Sequence, residues 1–576
     1  MKRRNKRAIS LILAAMLALG LVPGASAMAA ETPKSAMQLY VEAMNPGWNL
    51  GNTFDSVGMG GTDDPASEDE TAWGNPQVTR ELIAQIADQG FRSIRIPVTW
   101  DLKTGPAPDY KIDPAFLDRI EEVVNWSLEE GLYVMINAHH DSWRWVNGMG
   151  DRYDEVLARF TAIWRQVAEH FRHHDRKLMF ESINEPSFYG EVSGRSEQEL
   201  LNDLNRSFHS IVRQSGGLNA TRPLVLPTLY TSADEQAYLD DLKAVLAELN
   251  DPNLIVTAHY YGFWPFSVNI AGFYTFNEET RQHIVRTFDR LYDTFVSEGI
   301  PVIIGEFGLL GFDRHTGTIE QGEKLKFFEY MLTYAKQLGI THMLWDNGQH
   351  FNRRTFEWND PQLYEMMRES WRGRSATAET DLIFIRQGEP VQDAAIRLDL
   401  NGRRLILMAI GTRPLQRLSD YRYDPDSGIL TLSARLLETL TSADSTGEQA
   451  RLTAYFNLGA PWTFRILSYD TPVFGATSGE TDHFRIPVQF NGDLLATMEA
   501  YHEDGSFAGP HSWTPYKEFS YTFEPDYEAG EIVLTPNFFD ETKDGVVLLK
   551  FHFWSGQVIE YTITKNGTSV SGSPVN

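Results

Sequence analysis

Leu178-Met179-Phe180-Glu181-Ser182-Ile183-Asn184-Glu185-Pro186 and Val302-Ile303-Ile304-Gly305-Glu306-Phe307-Gly308 each run from apolar residues into a glutamate. Short apolar runs bounded by Pro or Gly read as buried strands of a parallel sheet. Six more stretches fit the same pattern: 47–51, 93–98, 133–138, 224–227, 254–258 and 341–344. Between them lie helical spacings, such as Leu82-Ile83 with Ile86-Ala87 before Gly90, and Phe116-Leu117, Ile120 and Val123-Val124 before Gly131. Eight strands, each followed by a helix, predict an α/β fold of the (β/α)8 TIM-barrel type between Pro46 and about Trp371.

In such a barrel the chemistry sits at the carboxyl ends of the strands, so the residues that close the runs are the candidates. In chain order they are Asn49 and Asn52, Arg95, His139-His140, Asn184-Glu185, His259-Tyr260-Tyr261, Glu306, and Trp345-Asp346-Asn347. A single His or Trp among these would more often be structural. Seven strand ends converging on one rim change that weighting. Two carboxyl groups on a common rim are what glycoside hydrolysis requires: one to protonate the leaving oxygen, one to attack or stabilise the anomeric carbon.

The chain resembles glycoside hydrolase family 5, the cellulase family. The resemblance rests on Gly47-Trp-Asn-Leu-Gly-Asn-Thr-Phe-Asp55, Ile94-Arg-Ile-Pro97, Asn184-Glu185-Pro186, His259-Tyr-Tyr261, Gly305-Glu-Phe-Gly308 and Trp345-Asp-Asn-Gly348, which occur in the family's order. It implies Glu185 as acid/base and Glu306 as nucleophile. Asn184 would hydrogen-bond the sugar 2-hydroxyl, Arg95 and Tyr261 would keep Glu306 charged, and His139 and His259 would tune protonation. Trp345 would floor the subsite of the reacting sugar.

Eleven of the fourteen tryptophans lie in the barrel segment. Trp73, Trp143, Trp145, Trp264 and Trp358 fall in predicted rim loops, where flat rings can stack on the apolar faces of pyranoses. Trp143, Trp145 and Trp264, with Asn52, His140 and Asn347, are the expected substrate contacts. Adjacent residues on a strand point to opposite faces, so His139 and His140 do not suggest a shared metal ion, and neither metal nor cofactor is expected.

Lys2, Arg3, Arg4, Lys6 and Arg7 precede an apolar stretch over 8–21 and then Ala25-Ser26-Ala27. That layout reads as a signal peptide over 1–27, a mature start near Met28 and an extracellular protein. The chain has no cysteine, which rules out disulfides, thiolate metal sites and a cysteine nucleophile. A formal charge of −27 argues against nucleic acid, and a neutral polysaccharide is compatible with it. No segment after the leader is apolar for long enough to span a membrane, and a monomer is expected.

Helical periodicity ends after Trp371, and residues 374–380 read as a linker between the barrel (28–373) and the carboxyl-terminal third of the chain. Alternation in twos with turn punctuation, as in Gly428-Ile-Leu-Thr-Leu-Ser433 and Gly545-Val-Val-Leu-Leu-Lys-Phe-His-Phe-Trp554, predicts two β-sandwiches there, 381–470 and 471–576. The first resembles the immunoglobulin-like modules that follow family 5 barrels and reads as a spacer. The second resembles carbohydrate-binding module family 46, with Trp513, Tyr516 and Trp554 as candidate sugar contacts. The function implied is a secreted, endo-acting, retaining β-1,4-glucanase. The alternatives are a xyloglucanase, a mixed-linkage glucanase, a broad glucanase/xylanase/mannanase or, with less support, a non-catalytic carbohydrate-binding protein. Both glutamates are present, which speaks against a dead barrel, and no Gly-x-Ser-x-Gly elbow offers an esterase site.

Overall fold

The computed structural model describes residues 33–58, 69–190, 194–442 and 444–575. The reading of 1–27 as a leader, with its mature start, lies outside these. Eight parallel strands close into a barrel in sequence order: β1 (Gly47–Asn49), β2 (Ser93–Ile96), β3 (Tyr133–Asn137), β4 (Leu178–Glu181), β5 (Leu224–Pro227), β6 (Leu254–Tyr260), β7 (Val302–Phe307) and β8 (Thr341–Leu344). The expected TIM barrel is therefore present.

Side-chain alternation along each strand explains where the site lies. Outward residues such as Ile94, Ile96, Val134, Ile136, Phe180 and Leu226 pack under the surrounding helices. Inward, Met135, Met179, Val225, Ile255, Ile303 and Met343 form an apolar layer, plugged from below by Met37, Val41 and Met44 of the amino-terminal helix Ala36–Ala43 and the turn after it. Two residues further along their strands, Asn137 and Glu181 share the inward face of Met135 and Met179. The polar layer thus rests on a packed apolar floor.

The linker expected at 374–380 is not one. Ser375 to Ala378 are buried, Thr377–Ala378 is already a strand of the first sandwich, and Arg374 forms an ion pair with Glu329 of the helix Gln321–Gln337 at 2.7 Å. The polar composition that suggested a tether instead satisfies buried groups across a joint, and one apolar core runs from the barrel into this sandwich. Its two sheets hold four and five strands, the last being Trp462–Tyr469. The second sandwich, again four and five strands, begins at Val473–Phe474 and has a separate core.

That second sandwich docks on the loops after β6 and β7. Asn269 Nδ2 donates to the Ala496 carbonyl at 2.9 Å, Phe519 N to the Asn269 carbonyl at 3.2 Å, and Arg314 Nη1 to Glu518 Oε1 at 2.8 Å. It therefore stands beside the carboxyl-end face of the barrel.

Candidate active site

The polar layer converges on Arg95, which is fully buried. Its guanidinium donates to Glu306 Oε1 at 2.6 Å, Glu181 Oε2 at 2.9 Å, Asn184 Oδ1 at 2.7 Å and Asn49 Oδ1 at 3.1 Å. Burial opposes its charge, but Glu181 and Glu306 outweigh this and hold it protonated more firmly than an ordinary arginine. Tyr261 donates to the other Glu306 oxygen at 2.6 Å, and burial together with Glu306 keeps that phenol protonated. With a donor on each oxygen, the Glu306 carboxyl is fixed in orientation.

A backbone irregularity delivers Glu306 to this position. Ala258 pairs with Ile304 but His259 pairs with Glu306, so Gly305 is an extra residue on β7. A Cβ on Gly305 would stand 2.7 Å from Thr257 Oγ1. Asn49 Nδ2 takes up the displaced Gly305 carbonyl at 2.9 Å and also reaches those of Leu344 and Met343.

Glu185 stands across from Glu306, its side chain 48% exposed to the cleft. His259 Nδ1 lies 2.8 Å from Glu185 Oε1 and 3.5 Å from Glu306 Oε2. Desolvation works against the Glu185 charge, but the His259 bond outweighs it and holds the carboxyl below its ordinary value. Burial likewise pulls His259 toward neutrality, and Glu306 with Glu185 reverses this and raises it. Oxygens of Glu185 and Glu306 lie within 4.8 Å of each other. Such closeness belongs to the direct-attack geometry of about 5–5.5 Å, not the about 6.5–9.5 Å that leaves room for a water.

His139 stacks parallel to Trp345, ring centres 5.7 Å apart, and its Nδ1 accepts from Asn137 Nδ2 at 3.1 Å. Asn137 Oδ1 takes the Val98 N–H, which fixes the amide as donor to the ring. His140 Nδ1 accepts from Trp143 Nε1 at 2.8 Å. Both rings therefore carry hydrogen on Nε2, and burial holds both neutral, His140 down to about 4. Asp55, His139 and His140 come close enough to suggest a metal cluster, but protonated Nε2 atoms offer no lone pair to an ion.

Not every expected contact faces the cleft. Trp145 is only 5% exposed: its N–H donates to Asp141 at 2.7 Å and Arg159 covers its face at 4.4 Å, so it is core, not a sugar platform. Trp358 stacks on Tyr364 at 4.4 Å and bonds Gln89, in the segment leading into β2. Asn347 and Asn52 stay partly exposed at the rim, Asn347 accepting the Gln349 N–H of its own turn on Oδ1 and Asn52 held left-handed (φ 52°) with its backbone N–H on Asp55. Tyr516 and Trp554 do not form an open binding face either; they pack on the barrel at Gly272 and Tyr274. Trp143, Trp264 and Trp513 remain exposed, and Trp264 meets Trp513 at 6.4 Å and His511 at 5.6 Å across the domain junction. Among residues not singled out from sequence, Glu181 matters most. A charge inside an apolar strand, opposite an arginine in another, was the available signal.

Residues 56–351 match the cellulase (glycosyl hydrolase family 5) description, 377–466 carbohydrate binding domain X2 and 470–573 a carbohydrate binding domain of family 46. The sandwich expected as an immunoglobulin-like spacer is thus the one that matches domain X2. Endoglucanase B of Paenibacillus lautus is 51% identical over 576 residues, covering all of both chains. The structure of a full-length tri-modular endo-β-1,4-glucanase B from Bacillus halodurans superposes with TM-score 0.90 at 53% identity, covering 94% of this chain and 99% of that one. A tri-modular subfamily 4 endo-β-1,4-glucanase from Bacillus licheniformis, complexed with cellotetraose, gives 0.78 at 30% identity over 94% and 99%. Matched in its motifs, its barrel and its full length, the chain belongs to glycosyl hydrolase family 5 and is a glycoside hydrolase with two carboxyl-terminal carbohydrate-binding domains.

Proposed function

We propose that the enzyme cleaves internal β-1,4 bonds of glucans with retention of configuration, Glu306 attacking the anomeric carbon and Glu185 serving as acid, then base. The observation that carries this is the pair of carboxyl groups within 4.8 Å, one locked between Arg95 and Tyr261 and the other half-exposed beside His259. Glu306 gains a glycosyl ester while the Glu185 proton passes to the leaving oxygen. Water then gives its proton back to Glu185 and releases the sugar from Glu306. Neutral His139 presents an N–H donor, and Trp345 gives the reacting sugar a flat floor. The relatives named as endoglucanases support the substrate class.

Trp264 and Trp513 together extend the aromatic surface from the barrel to the last sandwich, so a long chain would touch both. Export through the 1–27 leader is part of this proposal; amino-terminal sequencing of secreted enzyme should begin at Met28. A panel of cellulose, xyloglucan, mixed-linkage glucan, xylan and mannan assayed for new reducing ends tests the substrate. Activity confined to xylan or mannan would refute the glucanase reading.

A further inference from the structure

Three residues with side chains hold left-handed backbone at two neighbouring strand ends: Glu185 (φ 39°) after β4, and Tyr230 (58°) and Thr231 (50°) after β5. Such conformations are disfavoured, above all for a β-branched residue, and persist only where surrounding bonds impose them. Here the bonds join the two ends. Glu185 N–H donates to Thr231 Oγ1 at 3.1 Å, and Tyr230 N–H donates to the Pro186 carbonyl at 2.9 Å. Thr231 is 1% exposed, and its own N–H closes the turn on the Thr228 carbonyl at 2.9 Å. Glu197 ties the arrangement down, accepting from the Tyr230 hydroxyl at 2.6 Å and from Phe188 N–H at 3.4 Å.

Among the described residues, the half-exposed Glu185 side chain has one polar anchor, His259, and its backbone has one side-chain anchor, Thr231. We propose that the β5 turn, through Thr231 Oγ1, is the positioning device that aims Glu185 at the glycosidic oxygen. This rests on Glu185 being the acid. Thr231 touches neither substrate nor the reacting atoms; it acts by fixing the left-handed backbone from which the carboxyl projects. Proton transfer needs the donor within hydrogen-bond reach of the oxygen, so a small misplacement is felt chiefly where acid assistance is needed.

The test is a Thr231→Val variant of the full-length chain, which keeps the branched shape and the backbone strain but removes the acceptor. Thr231→Ser, which restores the hydroxyl, is its control. kcat/KM is measured on 2,4-dinitrophenyl cellobioside, whose leaving group needs no proton, and on phenyl cellobioside, whose leaving group does. The expected result is a loss of about tenfold or more on the phenyl substrate, under about twofold on the dinitrophenyl one, and recovery with Ser. Equal losses on both substrates, or none on either, would overturn the proposal. Glu185→Ala is assayed in parallel. If it loses equally on both substrates, the acid assignment itself falls and takes this inference with it. If it discriminates and Thr231→Val does not, only the inference falls.

Discussion

Replacing His259 with Gln tests the electrostatic logic of the site. His259 Nδ1 and Glu185 Oε1 lie 2.8 Å apart, a distance across which one proton can be shared. The imidazole is held above its ordinary 6.5 by Glu306 and Glu185 against the pull of burial, and the Glu185 carboxyl below its ordinary 4.5 by the His259 bond, again against burial. A raised histidine contributes stability in full below 6.5 and loses it as pH rises through the raised value. A lowered carboxyl contributes above 4.5 and loses it as pH falls. The pair is therefore tightest between 4.5 and 6.5, and its last proton, the one the proposed acid Glu185 would deliver, leaves only at the raised histidine value. Without the imidazole the carboxyl titrates alone, lifted by burial but with no reservoir behind it. The basic limb of kcat/KM should then move toward acid by about 1–2 pH units, the scale of a charge-assisted bond of about 1.5–3 kcal/mol at 1.36 kcal/mol per unit. Because Glu185 is half exposed, the low end is expected. The assay is kcat/KM for phenyl cellobioside from about pH 4 to 9, with dinitrophenyl cellobioside as the substrate that needs no acid. A basic limb that stays in place, or moves to higher pH, would refute the shared-proton account.

Glu185→Ala should still form glycosyl-enzyme from dinitrophenyl cellobioside and then stall, with added azide yielding a β-glycosyl azide, whereas Glu306→Ala should lose about 10⁴-fold or more on every leaving group. Early-time NMR should show product in the β configuration; α product would contradict the carboxyl spacing. Asn49→Ala leaves the bulge carbonyl of Gly305 without its donor and should destabilise the fold by about 1–3 kcal/mol in denaturant unfolding, with a larger fractional loss of activity than Trp145→Phe, whose ring lies outside the cleft. Trp513→Ala, or truncation after about Asp470, should weaken hydrolysis of polymers while sparing short soluble oligosaccharides. Equal loss on both would make the last sandwich a stability element.

The barrel could be read from the chain because strand and helix periods differ and each run ends in a polar residue, so eight runs and their closing side chains were visible without coordinates. Asn184-Glu185 and Glu306 were legible for that reason, as was Arg95. Glu181 was not, because a strand only four residues long with one charge looks like any other until Arg95 is seen to need a second anion. Trp143 and Trp145 show the limit of composition: they lie two positions apart on one short turn, yet one is 48% exposed and the other 5%, since Asp141 and Arg159 draw the second inward. Residues 374–380 look like a tether by composition and are a packed joint, because the groups that satisfy Arg374 and Ser375 come from a helix some forty-five residues earlier. The sequence by itself determined the strand order, the placing of Glu185 and Glu306 at strand ends and the β-rich tail, all written in local periodicity. Only the tertiary structure decided the Gly305 bulge, the 2.8 Å approach of His259 to Glu185, the Thr231 contact, and the meeting of Trp264 with Trp513, because each joins residues that chain distance keeps apart and that only barrel closure and domain docking bring together.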